Sequence, residues 1–211
     1  MSKRGRYLDK LKKVYLLVVG ILAFSLIFSA IVSFSQGNYL GFFTSLVVFV
    51  VVLLPSFFRW KYRMRIPLEI EIIIVMFIYA TLFLGEVYRF YDLFWWWDIL
   101  LHAFSALVFG FVGFIVLYLT YSRHELKVNV KWLAFFTFSF AVCIGVLWEI
   151  FEFFMDWSLG WNMQKTGLVD TMTDLIVDCV GALIAAGFGY LYIQNKKTFF
   201  LKRFFDYLLR G

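Results

Sequence analysis

The chain has 211 residues, of which 63% are hydrophobic and 16% charged, and a mean hydropathy of +0.84. A soluble domain is about 45–50% apolar and about 25% charged, and one core of this size cannot bury the excess, so the composition argues against a soluble domain and predicts an all-α polytopic membrane protein. The net charge of +6 would suit a nucleic-acid partner, but the basic residues are distributed as membrane topology requires, and no nucleic acid is expected.

Lys3, Arg4, Arg6, Lys10, Lys12 and Lys13 precede an apolar run from Val14 to Phe34. The run is long enough to cross a bilayer and no A-x-A site follows, so it reads as an uncleaved first span. Gln36-Gly37-Asn38 is a turn, and Tyr39 to Phe58 is the second span. Arg59, Lys61, Arg63 and Arg65 form a basic loop, closed by Pro67, which suits a helix start. The third span runs from about Leu68 to Leu84 and reaches an aromatic loop, Glu86 to Trp97. In that loop Glu86 and Arg89 are expected to pair, and Trp95, Trp96 and Trp97 to anchor at the interface. Asp98 to Thr120 is the fourth span, followed by Arg123, His124, Glu125, Lys127 and Lys131. Trp132 to Met155 is the fifth. A loop with Gly160, Trp161, Lys165 and Gly167 leads to the sixth, Asp170 to Ile193.

Residues 1–195 therefore read as a single six-helix transmembrane domain and 196–211 as a basic tail. In the tail Phe200, Leu201, Phe204, Phe205 and Leu208 share one helical face, the pattern of an amphipathic helix lying on an anionic membrane surface. Small residues, Ala103, Ala106, Gly110 and Gly113 in the fourth span and Gly181, Ala182, Ala185, Ala186 and Gly189 in the sixth, predict close helix packing. Cys143 and Cys179 have no metal-binding or redox spacing and read as buried small hydrophobes.

Eighteen Lys and Arg residues fall on the N-terminal side of the topology, in the termini and the two loops that share their side, against Arg89 and Lys165 on the other. The positive-inside rule then puts both termini in the cytoplasm of a cell that keeps this chain in its plasma or inner membrane.

The acids follow the opposite rule. Glu86, Asp92, Asp98, Glu149, Glu152, Asp156, Asp170, Asp174 and Asp178 all belong to the outer half or the outer loops. At 1.5 Å per residue His102 lies about 6–8 Å inside the fourth span, Glu149 and Glu152 about 5–10 Å inside the fifth, and Asp174 and Asp178 about 6–12 Å inside the sixth. Asp98 and His102 are i, i+4; Glu149, Glu152 and Asp156 are i, i+3, i+7; Asp170, Asp174 and Asp178 are i, i+4, i+8. Each set keeps to one helix face. Ionised carboxylates at that depth cost roughly 2.5–3.5 kcal/mol each, so the site must be hydrated, share protons or hold a cation.

His102, Glu149, Asp174 and Asp98 are accordingly the expected ligands of a divalent metal, zinc or manganese by donor type, with Glu152 and Asp178 as catalytic carboxylates. Asp98 and Asp170 begin spans and read equally as N-caps, and Asp156 falls in the headgroup zone. There is no HExxH, Walker loop, G-x-S-x-G or dinucleotide turn.

The run Trp97-Asp98-Ile99-Leu100-Leu101-His102, then Trp148-Glu149-Ile150-Phe151-Glu152-Phe153, then Asp170-Thr171-Met172-Thr173-Asp174-Leu175 with Asp178 and Gly181-Ala182, resembles the YjdF-type bacterial inner-membrane proteins over about residues 70 to 190. That resemblance implies topology rather than an activity. A more distant similarity is to VanZ-like proteins: Asp98, His102 and Glu149 match their pattern, whereas Glu152 replaces a Gln and Asp178 stands where Asn is usual. Three functions remain open: a metal-dependent enzyme acting on a lipid or lipid-linked substrate, a proton- or cation-coupled carrier, and a non-catalytic protein with a structural polar network.

Overall fold

The computed structural model describes residues 3–62, 68–122 and 129–195. The order is α1 (Lys3–Ser35), α2 (Tyr39–Tyr62), α3 (Leu68–Ile78), a π-helical segment (Tyr79–Val87), a short α4 (Phe90–Leu93), α5 (Trp97–Ser122), α6 (Val130–Leu159) and α7 (Leu168–Asn195). No strand occurs among the described residues. With α3 and the π segment counted together, six helices are long and apolar enough to cross a membrane, as the sequence predicts.

Helix boundaries differ from the expected spans where charge does not end a helix. Lys and Arg are good helix formers, so α1 starts at Lys3 rather than Val14, and Arg59 and Lys61 form the last turn of α2 rather than a loop. Their charge there complements the helix dipole. Arg63, Arg65, Pro67, Arg123, His124, Glu125, Lys127 and the tail from 196 to 211, with its expected amphipathic face, lie outside the described residues.

The chain forms two compact units, Met1–Trp97 and Asp98–Gly211. In the first, Leu26, Val48, Val52, Val75 and Phe83 make a buried cluster, and the hydroxyls of Ser29 and Ser45 meet inside it at 3.2 Å. At Tyr79 the helix widens to π geometry, and the Tyr88 N–H closes this segment on the Phe83 carbonyl at 3.0 Å. Arg89 then takes a left-handed conformation (φ 58°) that starts α4. This corrects the expected Glu86–Arg89 pair: Asp92, three residues on in the new helix, accepts the Arg89 Nε–H at 2.9 Å.

In the second unit α6 packs along α7, and small residues bring the helices together. A Cβ on Gly110 would stand 2.5 Å from Ala185 Cβ, and one on Gly181 would stand 2.8 Å from the Ala103 carbonyl oxygen. The glycines are thus required by contact, as the small-residue spacing predicts. Asn129 caps α6 by accepting the Lys131 N–H at 3.0 Å. Phe135, Phe153, Ile176 and Leu183 point outward, the apolar exterior that suits lipid. Cys143 shares this exposed surface, contrary to the expected burial, and Cys179 is half-buried; both are free thiols.

Candidate functional site

The polar site is built entirely within the second unit. The first turns of α5 and α7 and the C-terminal third of α6 meet at one end of it. His102 lies at the centre and is buried, 6% exposed. Its Nδ1 is 3.4 Å from the Asp178 carboxylate of α7. Its Nε2 is 3.8 Å from Asp98 Oδ1, one turn back on α5, and 3.8 Å from Glu149 Oε1 on α6. Three helices thus present carboxylates to one imidazole.

Glu149, Glu152, Asp174 and Asp178 are all buried. Both oxygens of Glu149, and Oδ1 of Asp178, are sealed from solvent and make no well-formed hydrogen bond among the described residues, although the Thr171 hydroxyl stands toward Glu149. A buried carboxylate so poorly partnered is costly, because burial removes water and little replaces it. Ligand atoms of His102, Glu149 and Asp174 lie within 4.8 Å of one another, close enough for one cation to touch all three; Asp98, Asp170 and Asp174 form a second such group. Imidazole with carboxylates is a donor set for zinc or manganese. The pairing of Asp178 with Nδ1, behind a ring whose Nε2 faces the other acids, is the arrangement by which a carboxylate orients a metal-binding histidine.

Residues 14–195 match the family described as "Predicted membrane protein (DUF2238)". The chain belongs to that family. It is also similar to an uncharacterized protein of Thermotoga maritima, 29% identical over 192 residues, a stretch that covers 90% of this chain and 92% of that one. No solved structure matches.

In this DUF2238 protein the remaining predicted residues take different places. Asp98 and Asp170 sit inside the first turns of α5 and α7 rather than at the cap positions; their charge still suits a helix N-terminus. Glu152, one turn beyond Glu149, accepts the Trp148 Nε1–H at 2.9 Å. Trp148 therefore holds a site acid. Asp156 stands apart from both cation groups. Its carboxylate accepts the backbone N–H groups of Met163 at 2.7 Å and Gln164 at 2.9 Å. Gln164 in turn donates to Thr171 Oγ1 at 2.7 Å. Gly160 ends α6 in the left-handed conformation (φ 68°) that lets the chain turn back for these bonds. Asp156 thus organises the loop into α7.

Two polar arrangements escaped sequence reasoning, one in this site and one outside it. Gly145 on α6 leaves the space that Asp178 fills: a Cβ there would lie 2.1 Å from Asp178 Oδ2. Its only sequence signal is its place one turn before Glu149. The other is Glu71, in the first unit and wholly buried. It accepts the Tyr15 hydroxyl at 2.6 Å and the Ser56 hydroxyl at 3.0 Å, and pairs with Arg59 at 2.7 Å. Tyr15 and Ser56 also share a short hydroxyl contact, and the Arg59 guanidinium lies over the Tyr15 ring. A glutamate one turn into an apolar span was the signal. With Oε1 taking two hydroxyls and Oε2 held by the Arg59 ion pair rather than by a hydrogen bond, Glu71 acts as a staple joining α1, α2 and α3.

Proposed function

We propose that this protein is a metal-dependent membrane enzyme in which His102, Glu149 and Asp174 hold a divalent cation, zinc or manganese, and that its substrate is a lipid or lipid-linked head group. The observation that carries the reading is Glu149. Its two oxygens are buried without a well-formed hydrogen bond, and one of them lies 3.8 Å from the imidazole of a neighbouring candidate ligand. A structural hydrogen-bond network would satisfy its own buried atoms, so these oxygens favour an external positive charge. A carrier needs polar groups beyond the site. Among the described residues of this unit, the buried polar group elsewhere is Thr137, and the far end holds the Phe114–Tyr192 cluster.

A bound cation supplies Lewis-acid polarisation of a substrate or water oxygen. The chain's own residues do the rest. Asp178 fixes the His102 ring through Nδ1. Glu152, buried one turn beyond Glu149, has one oxygen engaged by Trp148 and would use the other as proton acceptor. His102 lies five residues into α5 and Asp174 six into α7, about 7–9 Å from the helix ends. That is the depth at which a lipid head group meets its acyl chains, and it supports a lipid-borne substrate. The YjdF-type resemblance and the basic asymmetry support an inner-membrane location with both termini inside, so that the site opens outward.

Metal analysis of purified protein, with His102→Ala and Glu149→Gln beside it, tests the reading. Zinc or manganese is expected to co-purify with the parent chain and to be depleted in both variants. Equal metal in all three, or none in any, overturns it.

A further inference from the structure

We infer that the site is built for two divalent cations, with Asp174 as the carboxylate shared between them. This rests on the metal-site reading above and extends it from one ion to a pair.

Geometry is the first support. His102, Glu149 and Asp174 form one group of convergent ligand atoms, and Asp98, Asp170 and Asp174 form another; Asp174 is the residue common to both. The groups are also related through the helices. On α5, Asp98 belongs to one group and His102, four residues on, to the other. On α7, Asp170 precedes Asp174 by the same interval. Residues four apart on a helix are neighbours with Cβ atoms about 5–6 Å apart, so the two groups lie side by side along both helices. Two-metal sites separate their ions by about 3.5–4 Å, which one shared carboxylate can bridge.

Burial is the second, independent support. Asp174 is 2% exposed, and its side chain takes part in none of the hydrogen bonds found among the described residues. Glu149, in the first group, is 4% exposed with neither oxygen in a well-formed hydrogen bond. Each is a buried acid with a ligand atom converging on the group it would serve.

Charge is the third. The two groups together contain four carboxylates and one imidazole. One divalent cation offsets two of the four negative charges, leaving two like charges close together at membrane depth, where such charge is costly. A second cation offsets them. The donor sets agree: imidazole with carboxylates suits zinc or manganese, and an all-carboxylate group suits manganese or magnesium.

The test uses the full-length chain in detergent, stripped with a chelator and refilled with Mn2+. Two manganese ions per chain are expected, with the exchange-broadened paramagnetic resonance spectrum of a bridged pair. Asp170→Asn, and independently Asp98→Asn from the opposite helix, are each expected to leave one ion and the spectrum of an isolated Mn2+. Asp92→Asn, in the other unit, is to keep both ions. One ion per chain in the parent protein overturns the pair but leaves the single-metal reading standing; none overturns both. Two ions with an uncoupled spectrum, or two that persist in both Asp170→Asn and Asp98→Asn, also overturn the shared-carboxylate arrangement.

Discussion

Gly145 and Asp178 compete for one volume: the β-carbon that any other residue would place at 145 falls 2.1 Å from Asp178 Oδ2. Gly145→Ala must therefore displace the carboxylate that holds the Nδ1 side of His102. Overpacking of this kind costs about 1–3 kcal/mol, and disturbing a residue that orients a metal ligand weakens binding roughly 10–100-fold. Gly187→Ala on α7 is the control, because nothing lies within 4 Å of its added carbon. Thermal melting in detergent and zinc titration of the two variants check the expectation; equal behaviour sinks it.

Glu149→Gln should change stability in opposite directions depending on metal. Without metal, the variant removes a buried charge whose oxygens make no well-formed hydrogen bond, so it should melt higher than the parent. With zinc at 100 times the dissociation constant, the parent should gain about 2.7 kcal/mol by mass action and the variant little. Melting curves with zinc and with chelator measure both arms. A parent chain that zinc does not stabilise would contradict the site.

Glu71→Gln acts in the other unit. It leaves Arg59, 31% exposed, without its counter-charge, and a loss of roughly 2 kcal/mol is expected, below the value for a fully buried pair. Tyr15→Phe removes one hydroxyl and should cost about 1 kcal/mol. Metal content should be unchanged in both, because the partners of Glu71, namely Tyr15, Ser56 and Arg59, belong to α1 and α2 and are no part of the candidate metal groups. Loss of metal with Glu71→Gln would show that the two units depend on one another.

Asp156→Ala should release the loop before α7, since two backbone N–H groups lose a charged acceptor; roughly 1–3 kcal/mol is expected. Asp156→Asn keeps an acceptor and should retain part of this. Hydrogen exchange at Met163 and Gln164 is the direct measurement, and unchanged protection in Asp156→Ala would rule the loop role out.

The helical architecture and the convergence of Asp98, His102, Glu149, Asp174 and Asp178 were legible in the sequence because both depend on periodicity. Spans are written in apolar run length, and a face is written in intervals of three and four. What was not legible depends on tertiary space. Nothing local tells that Gly145 must be small, since its constraint is a side chain on another helix. The role of Asp156 depends on a left-handed Gly160 and a loop that turns back. The role of Glu71 depends on Tyr15, Ser56 and Arg59, which reach it from two other helices and leave no local mark in the first turn of its own. The π segment at Tyr79 has no periodic signature of its own.

Of the six spans, α7 is the least apolar and the one most covered by protein. The two facts have one cause. Its aspartates are tolerated because α5 and α6, rather than acyl chains, surround them. During synthesis this segment is therefore the weakest candidate to leave the translocon alone, and Asp156 ties its preceding loop back to α6. Biogenesis should accordingly deliver α6 and α7 to the bilayer as a pre-paired hairpin, with the last span entering on the strength of its partner.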